Sequence, residues 1–109
     1  MGTWAGINCD WHEQPDRAAM KNAALLVEAT RAAGFPPTCA ATGRWLSVCL
    51  FWDHGRTEVE VFSNQFELYF LPRSDEDGEF DVEEFAADAP ETLGILIEKI
   101  KEARSTLRE

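Results

Sequence analysis

Apolar residues recur along this chain with two different periods, and the change of period marks its elements. Ala19, Met20, Ala23, Leu26, Val27, Thr30 and Ala33 fall on one stripe at helical spacing, with Arg17, Lys21, Glu28 and Arg31 on the opposite side. The pattern predicts a helix from Pro15 to Ala33, opened by the proline and stopped by Gly34 and Phe35-Pro36-Pro37. A second helical stripe, Leu93, Leu96, Ile97, Ile100, Ala103 and Leu107, predicts a helix from about Pro90 to Leu107. Lys99, Lys101, Arg104 and Arg108 lie toward its C-terminal end, where cations favour the helix dipole.

Between the helices the period falls to two. Strands are predicted over Arg44 to Trp52, Thr57 to Phe62 and Phe66 to Leu71, joined by turns short enough to require an antiparallel meander. Val59 and Val61 alternate with Glu58, Glu60 and Phe62, and Phe66, Leu68 and Phe70 alternate with Glu67, Tyr69 and Leu71. One face of this sheet is therefore core, with Val59, Val61, Phe66, Leu68 and Phe70 under the helices. The other face carries Phe62 and Tyr69 among Glu58, Glu60 and Glu67, with Trp45, Cys49 and Phe51 on the second side of the first strand. Residues 1 to 14, with Trp4, Ile7 and Trp11, either fold back over that face or leave it open. Asp81-Val82-Glu83-Glu84 has the spacing of an N-terminal capping box, and an edge strand over Glu79 to Val82 is the rival reading. The expected fold is one α+β domain over residues 1–109: a three-stranded antiparallel meander, four-stranded if that edge strand forms, packed by an N-terminal and a C-terminal helix.

Composition supports a folded domain. The chain has 109 residues, 45% of them apolar, and four tryptophans, too rich for a disordered acidic tail. Three cysteines (Cys9, Cys39, Cys49) without a close pair argue against a disulfide framework and fit a reducing compartment, so a cytoplasmic location is expected. The start of the chain lacks a basic stretch followed by an apolar one, and the longest strongly apolar run, Trp45 to Trp52, is too short to span a bilayer. Neither a signal peptide nor a membrane association is expected.

Charge changes the picture more. The net charge is −10, and ten carboxylates with no Lys or Arg lie between Ser74 and Glu98, while the remainder of the chain balances to zero. Asp75, Glu76, Asp77, Glu79, Asp81, Glu83 and Glu84 form the densest part of this window. Such a field repels nucleic acid and speeds encounter with basic proteins. The bland alternative is a solvated loop that serves solubility. A stricter functional version, imitation of the phosphate spacing of a duplex, requires a rigid two-dimensional array that a linear run cannot demonstrate.

Candidate chemistry adds little. Asp75-Glu76-Asp77-Gly78 fails as a calcium loop, because the sixth position counted from Asp75 is Phe80 and not glycine. Cys9, His12, Cys39, Cys49 and His54 include no second ligand pair of the kind zinc sites use, so no metal or other cofactor is expected. Asp53 and His54 have no marked nucleophile or oxyanion site to complete a triad, and no phosphate loop or basic aromatic stripe is present. The chain is therefore read as a non-enzyme.

The acidic run Asp75 to Glu84, the helix Pro15 to Ala33 and the meander Trp45 to Leu71 together give an outline in size, acidity and element order. That outline resembles the small inhibitors encoded by phages and other mobile elements, of which anti-CRISPR proteins and immunity proteins of toxins are the known kinds. The resemblance implies stoichiometric binding, as monomer or homodimer, to a basic or nucleic-acid-handling protein. The residues expected to meet the partner are the acids from Asp75 to Glu84 named above, with Phe62 and Tyr69 as anchors among Glu58, Glu60 and Glu67. The outline is also similar to the acidic chaperones of type III secretion, which would make the chain an adaptor for an extended peptide, though it is too short for their additional strands and helix. A small enzyme is the third reading.

Overall fold

Asp16 starts the first helix. Its carboxylate accepts a hydrogen bond from the Ala19 amide at 3.1 Å, capping α1 (Arg17–Ala32), so Pro15 precedes the cap and is buried there. The helix ends as Gly34 turns into the left-handed region (φ 96°), where the Phe35 amide donates to the Thr30 carbonyl at 2.9 Å. The computed structural model describes residues 2–52, 57–70 and 81–108. Its remaining elements are β1 (Gly2–Trp4), β2 (Ile7–Asp10), β3 (Cys39–Thr42), β4 (Val48–Trp52), β5 (Thr57–Val61), β6 (Gln65–Phe70), β7 (Asp81–Ala86) and α2 (Thr92–Arg108).

The strands form one seven-stranded sheet in the order β1 to β7, which corrects the expected three- or four-stranded antiparallel meander. The class, α+β with two helices, is as read from the periodicity; the sheet is larger and mixed. Residues 2–10 form a hairpin around Ala5 and Gly6, both with positive φ (53° and 82°), the conformation a two-residue turn needs. The Arg31 guanidinium donates to the Ala5 carbonyl and ties that turn to α1. β2 then pairs in parallel with β3, a pairing that requires a crossover, and α1 supplies it. The N-terminal segment thus extends the sheet sideways and does not fold back over its face. All other neighbours pair antiparallel. At the far edge, residues 81–86 form β7, not a capping box.

Both helices lie on one side of the sheet. Ala19, Ala23, Leu26 and Val27 of α1 and Leu96 and Ile100 of α2 share a buried cluster with Val48, Leu50, Trp52, Val59, Val61, Phe66 and Leu68. The small side chains of α1 let it approach the strands closely. Trp52, 1% exposed, uses its indole N–H to donate to the Phe35 carbonyl at 2.8 Å, so its polar atom is satisfied inside the core. Thr92, at the start of α2, donates to the Ala86 carbonyl at 2.6 Å and joins that helix to the end of β7. Among the described residues, no helix is long and apolar enough to cross a membrane.

Candidate functional site: the open face of the sheet

Alternation sends every second strand residue to the side without helices. The register there builds two ranks across four strands. Cys49 lies opposite Glu60, Glu60 opposite Glu67, and Glu67 opposite Glu84. Beside it, Phe51 lies opposite Glu58, Glu58 opposite Tyr69, and Tyr69 opposite Val82. One rank is acidic and the other mostly apolar, and no strand position on this face in β1 to β7 is Lys or Arg. Like charges directly opposite each other destabilise a sheet. This face has two such contacts in line, Glu60 with Glu67 and Glu67 with Glu84.

Neutral donors hold the carboxylates in place. The Ser47 hydroxyl donates to Glu60 at 2.6 Å, the Gln65 amide to Glu67 at 2.7 Å, and the Tyr69 hydroxyl to Glu67 at 2.5 Å. The Cys49 thiol is hydrogen-bonded to Glu58. Burial pushes the Glu58 carboxyl above its ordinary range, the Cys49 hydrogen bond lowers it, and the Glu60 charge raises it again. Burial raises the Cys49 thiol strongly, reinforced by the charges of Glu58 and Glu60. Tyr69 is raised by burial, then by its bond to Glu67 and the surrounding carboxylates. In all three, burial is the largest cause and neighbouring carboxylates add to it, so each group is held toward its protonated form.

The turn between β3 and β4 encloses one end of the acidic rank. A Cβ added at Gly43 would fall 2.1 Å from the Ser47 hydroxyl, 2.8 Å from a Glu60 carboxylate oxygen and 3.1 Å from the Cys49 sulfur, so any other residue must displace the Ser47 hydroxyl and the carboxylate it holds. The sequence pattern places Trp45 on a strand; it sits instead in this turn, 71% exposed, beside Leu46 at a left-handed φ of 57°. β4 begins only at Val48. The Asp16 amide donates to the Leu46 carbonyl at 2.8 Å, which fixes the turn against the start of α1.

Glu58, Glu60, Glu67 and Tyr69, grouped by alternation, do share this face. Phe62 lies past the end of β5, half-buried, lining a depression with Asp16, Ala19, Trp45, Leu46, Ser47, Ser63 and Asn64. The acidic window is divided: Glu84 joins the open face, whereas Glu83 points to the helix side and lies 3.8 Å from Lys99. Asp81 opens β7, and Asp75, Glu76, Asp77 and Glu79, with Asp53 and His54, lie outside the described residues.

Among the soft donors, Cys9 is buried in the helix-side core and His12 is exposed near Asp10. The structure assembles a group that spacing did not suggest: Cys49, Glu58 and Glu60, whose donor atoms lie within 4.8 Å of one another. Their chemistry suits a divalent ion with one sulfur and two oxygen ligands. Such an ion would first have to remove a proton from a thiol that its surroundings hold firmly. No family model matches this chain, and no curated protein and no solved structure matches it.

Proposed function

We propose that this protein acts by stoichiometric binding, as an inhibitor of a basic or nucleic-acid-handling protein, and that the open sheet face is its docking surface. The observation that carries this reading is the acidic rank of Glu60, Glu67 and Glu84 beside Phe51, Glu58, Tyr69 and Val82, with no cationic strand position to neutralise it. Carboxylates steer a basic partner and half-buried aromatic residues hold it. The acids of residues 75–79 add long-range attraction in this reading. The test is association kinetics at two salt concentrations against a partner recovered from the native host. Replacing Glu60, Glu67 and Glu84 together by Gln slows association and flattens its salt dependence, because screening acts on exposed charge over about 8 to 10 Å. An unchanged rate and salt slope would remove the open face from the reading.

A further inference from the structure

The direction in which charge is arranged on the open face selects the shape of its partner. Along the strands, carboxylates follow one another only on β5, as Glu58 and Glu60; β6 offers only Glu67 between Gln65 and Tyr69, and β7 only Glu84 between Val82 and Ala86. Across the strands, Glu60, Glu67 and Glu84 stand in line on three neighbours. Adjacent strands are about 4.8 Å apart, so the rank spans about 10 Å in two steps. An extended peptide laid along it would present alternate side chains every 6.6 to 6.8 Å and overshoot by roughly 4 Å over two steps. A helix presents residues i, i+4 and i+7 on one side over about 10.5 Å, which matches within about 1 Å.

From this we infer that the open face receives a basic amphipathic helix of the partner protein, lying across β5, β6 and β7, with cations at i, i+3 or i+4, and i+7 over Glu60, Glu67 and Glu84. This rests on the reading of the face as a docking surface for a basic protein. Charge complementarity identifies the polar side of that helix; in the parallel rank, Tyr69 and Val82, the latter 46% exposed, receive its apolar flank over β6 and β7, while Glu58 continues the acidic side on β5. Glu60 and Glu67 are already oriented by Ser47, Gln65 and Tyr69, so less side-chain freedom is lost on binding. The two like-charge contacts within the rank are relieved when cations lie over it.

Three synthetic peptides of identical composition test this at low salt: a helical one with Arg at i, i+4 and i+7 and Leu on the adjoining flank, a helical permutation with its Arg pointing in different directions, and an extended one with a central proline and Arg at alternate positions. The striped helix is expected to bind about tenfold more tightly than either isomer. It should also shift the side-chain carboxyl NMR signals of Glu60, Glu67 and Glu84 and lose its advantage on the Glu67→Gln variant, whose melting curve verifies that it is folded. Equal binding by all three peptides, or preference for the extended one, overturns the helical occupant and leaves the basic-partner reading standing. If none of the three binds, both fall.

Discussion

The two faces of this sheet are made by the same strands and obey opposite rules. On the helix side, Val48, Leu50, Trp52, Val59, Val61 and Leu68 are each at most 1% exposed, and the pairs Val48 with Val61, Leu50 with Val59, Val59 with Leu68 and Val61 with Phe66 set apolar side chain against apolar side chain. On the open side the equivalent positions set carboxylate against carboxylate and crowd a thiol and a phenol beside them. The first face is organised for stability. The second spends stability in charge repulsion and desolvation, and departures of this kind are expected where a surface serves binding.

The contrast can be broken from either side. The largest effect belongs to the helix side: Leu68→Ala empties a fully buried position and should cost about 2 to 5 kcal/mol in denaturant unfolding. A cost no greater than that of a surface substitution would mean that the faces are assigned the wrong way round. Next comes the turn that closes the acidic rank. Gly43→Ala drives a methyl group into the Ser47 hydroxyl and should cost about 1 to 2 kcal/mol, by displacing the donor that Glu60 uses. Combined with Ser47→Ala, which removes the clashing atom, the loss should be clearly less than additive.

Substitutions within the rank should act in the other direction. Glu67→Gln keeps its one acceptor oxygen for Tyr69 and turns its NH2 toward Gln65, whose own amide must flip to accept, while repulsion with both cross-strand glutamates ends, so it should stabilise by about 0.2 to 1 kcal/mol. The subtlest effect is in pH. Glu58 is held above its ordinary value of 4.5, so the folded chain keeps that proton more tightly than the unfolded one. The stability this contributes is present below the unfolded value and is lost as pH rises through the folded one. Melting curves of Glu58→Gln and the parent should therefore diverge as pH is raised above 4.5, with the variant gaining.

Periodicity made the helices legible to within about two residues, because both stripes are long and bounded by Pro, Gly and a capping acid. It also paired β5 with β6 and grouped Glu58, Glu60, Glu67 and Tyr69. It missed β1, β2 and β3 because they have three or four residues each and, in Cys39-Ala40-Ala41-Thr42, little β-branched character. β7 was legible only as the rival edge strand over Glu79 to Val82, for another reason: Val82 and Glu84 share the open side while Glu83 and Phe85 share the helix side, so charge and apolarity do not alternate. The meeting of Cys49 with Glu58 and Glu60 depends on the register between β4 and β5, and the rank of three carboxylates depends on β7 being a strand. Neither is a local property of the sequence.

Carboxyl footprinting of the free and partner-bound protein, by carbodiimide labelling and mass spectrometry, tests the central claim most directly. Binding should protect Glu60, Glu67 and Glu84 while leaving Glu28 and Glu98, exposed on the helices, as reactive as before. Protection of the helix carboxylates with Glu67 and Glu84 unchanged would contradict the assignment of the open face as the docking surface.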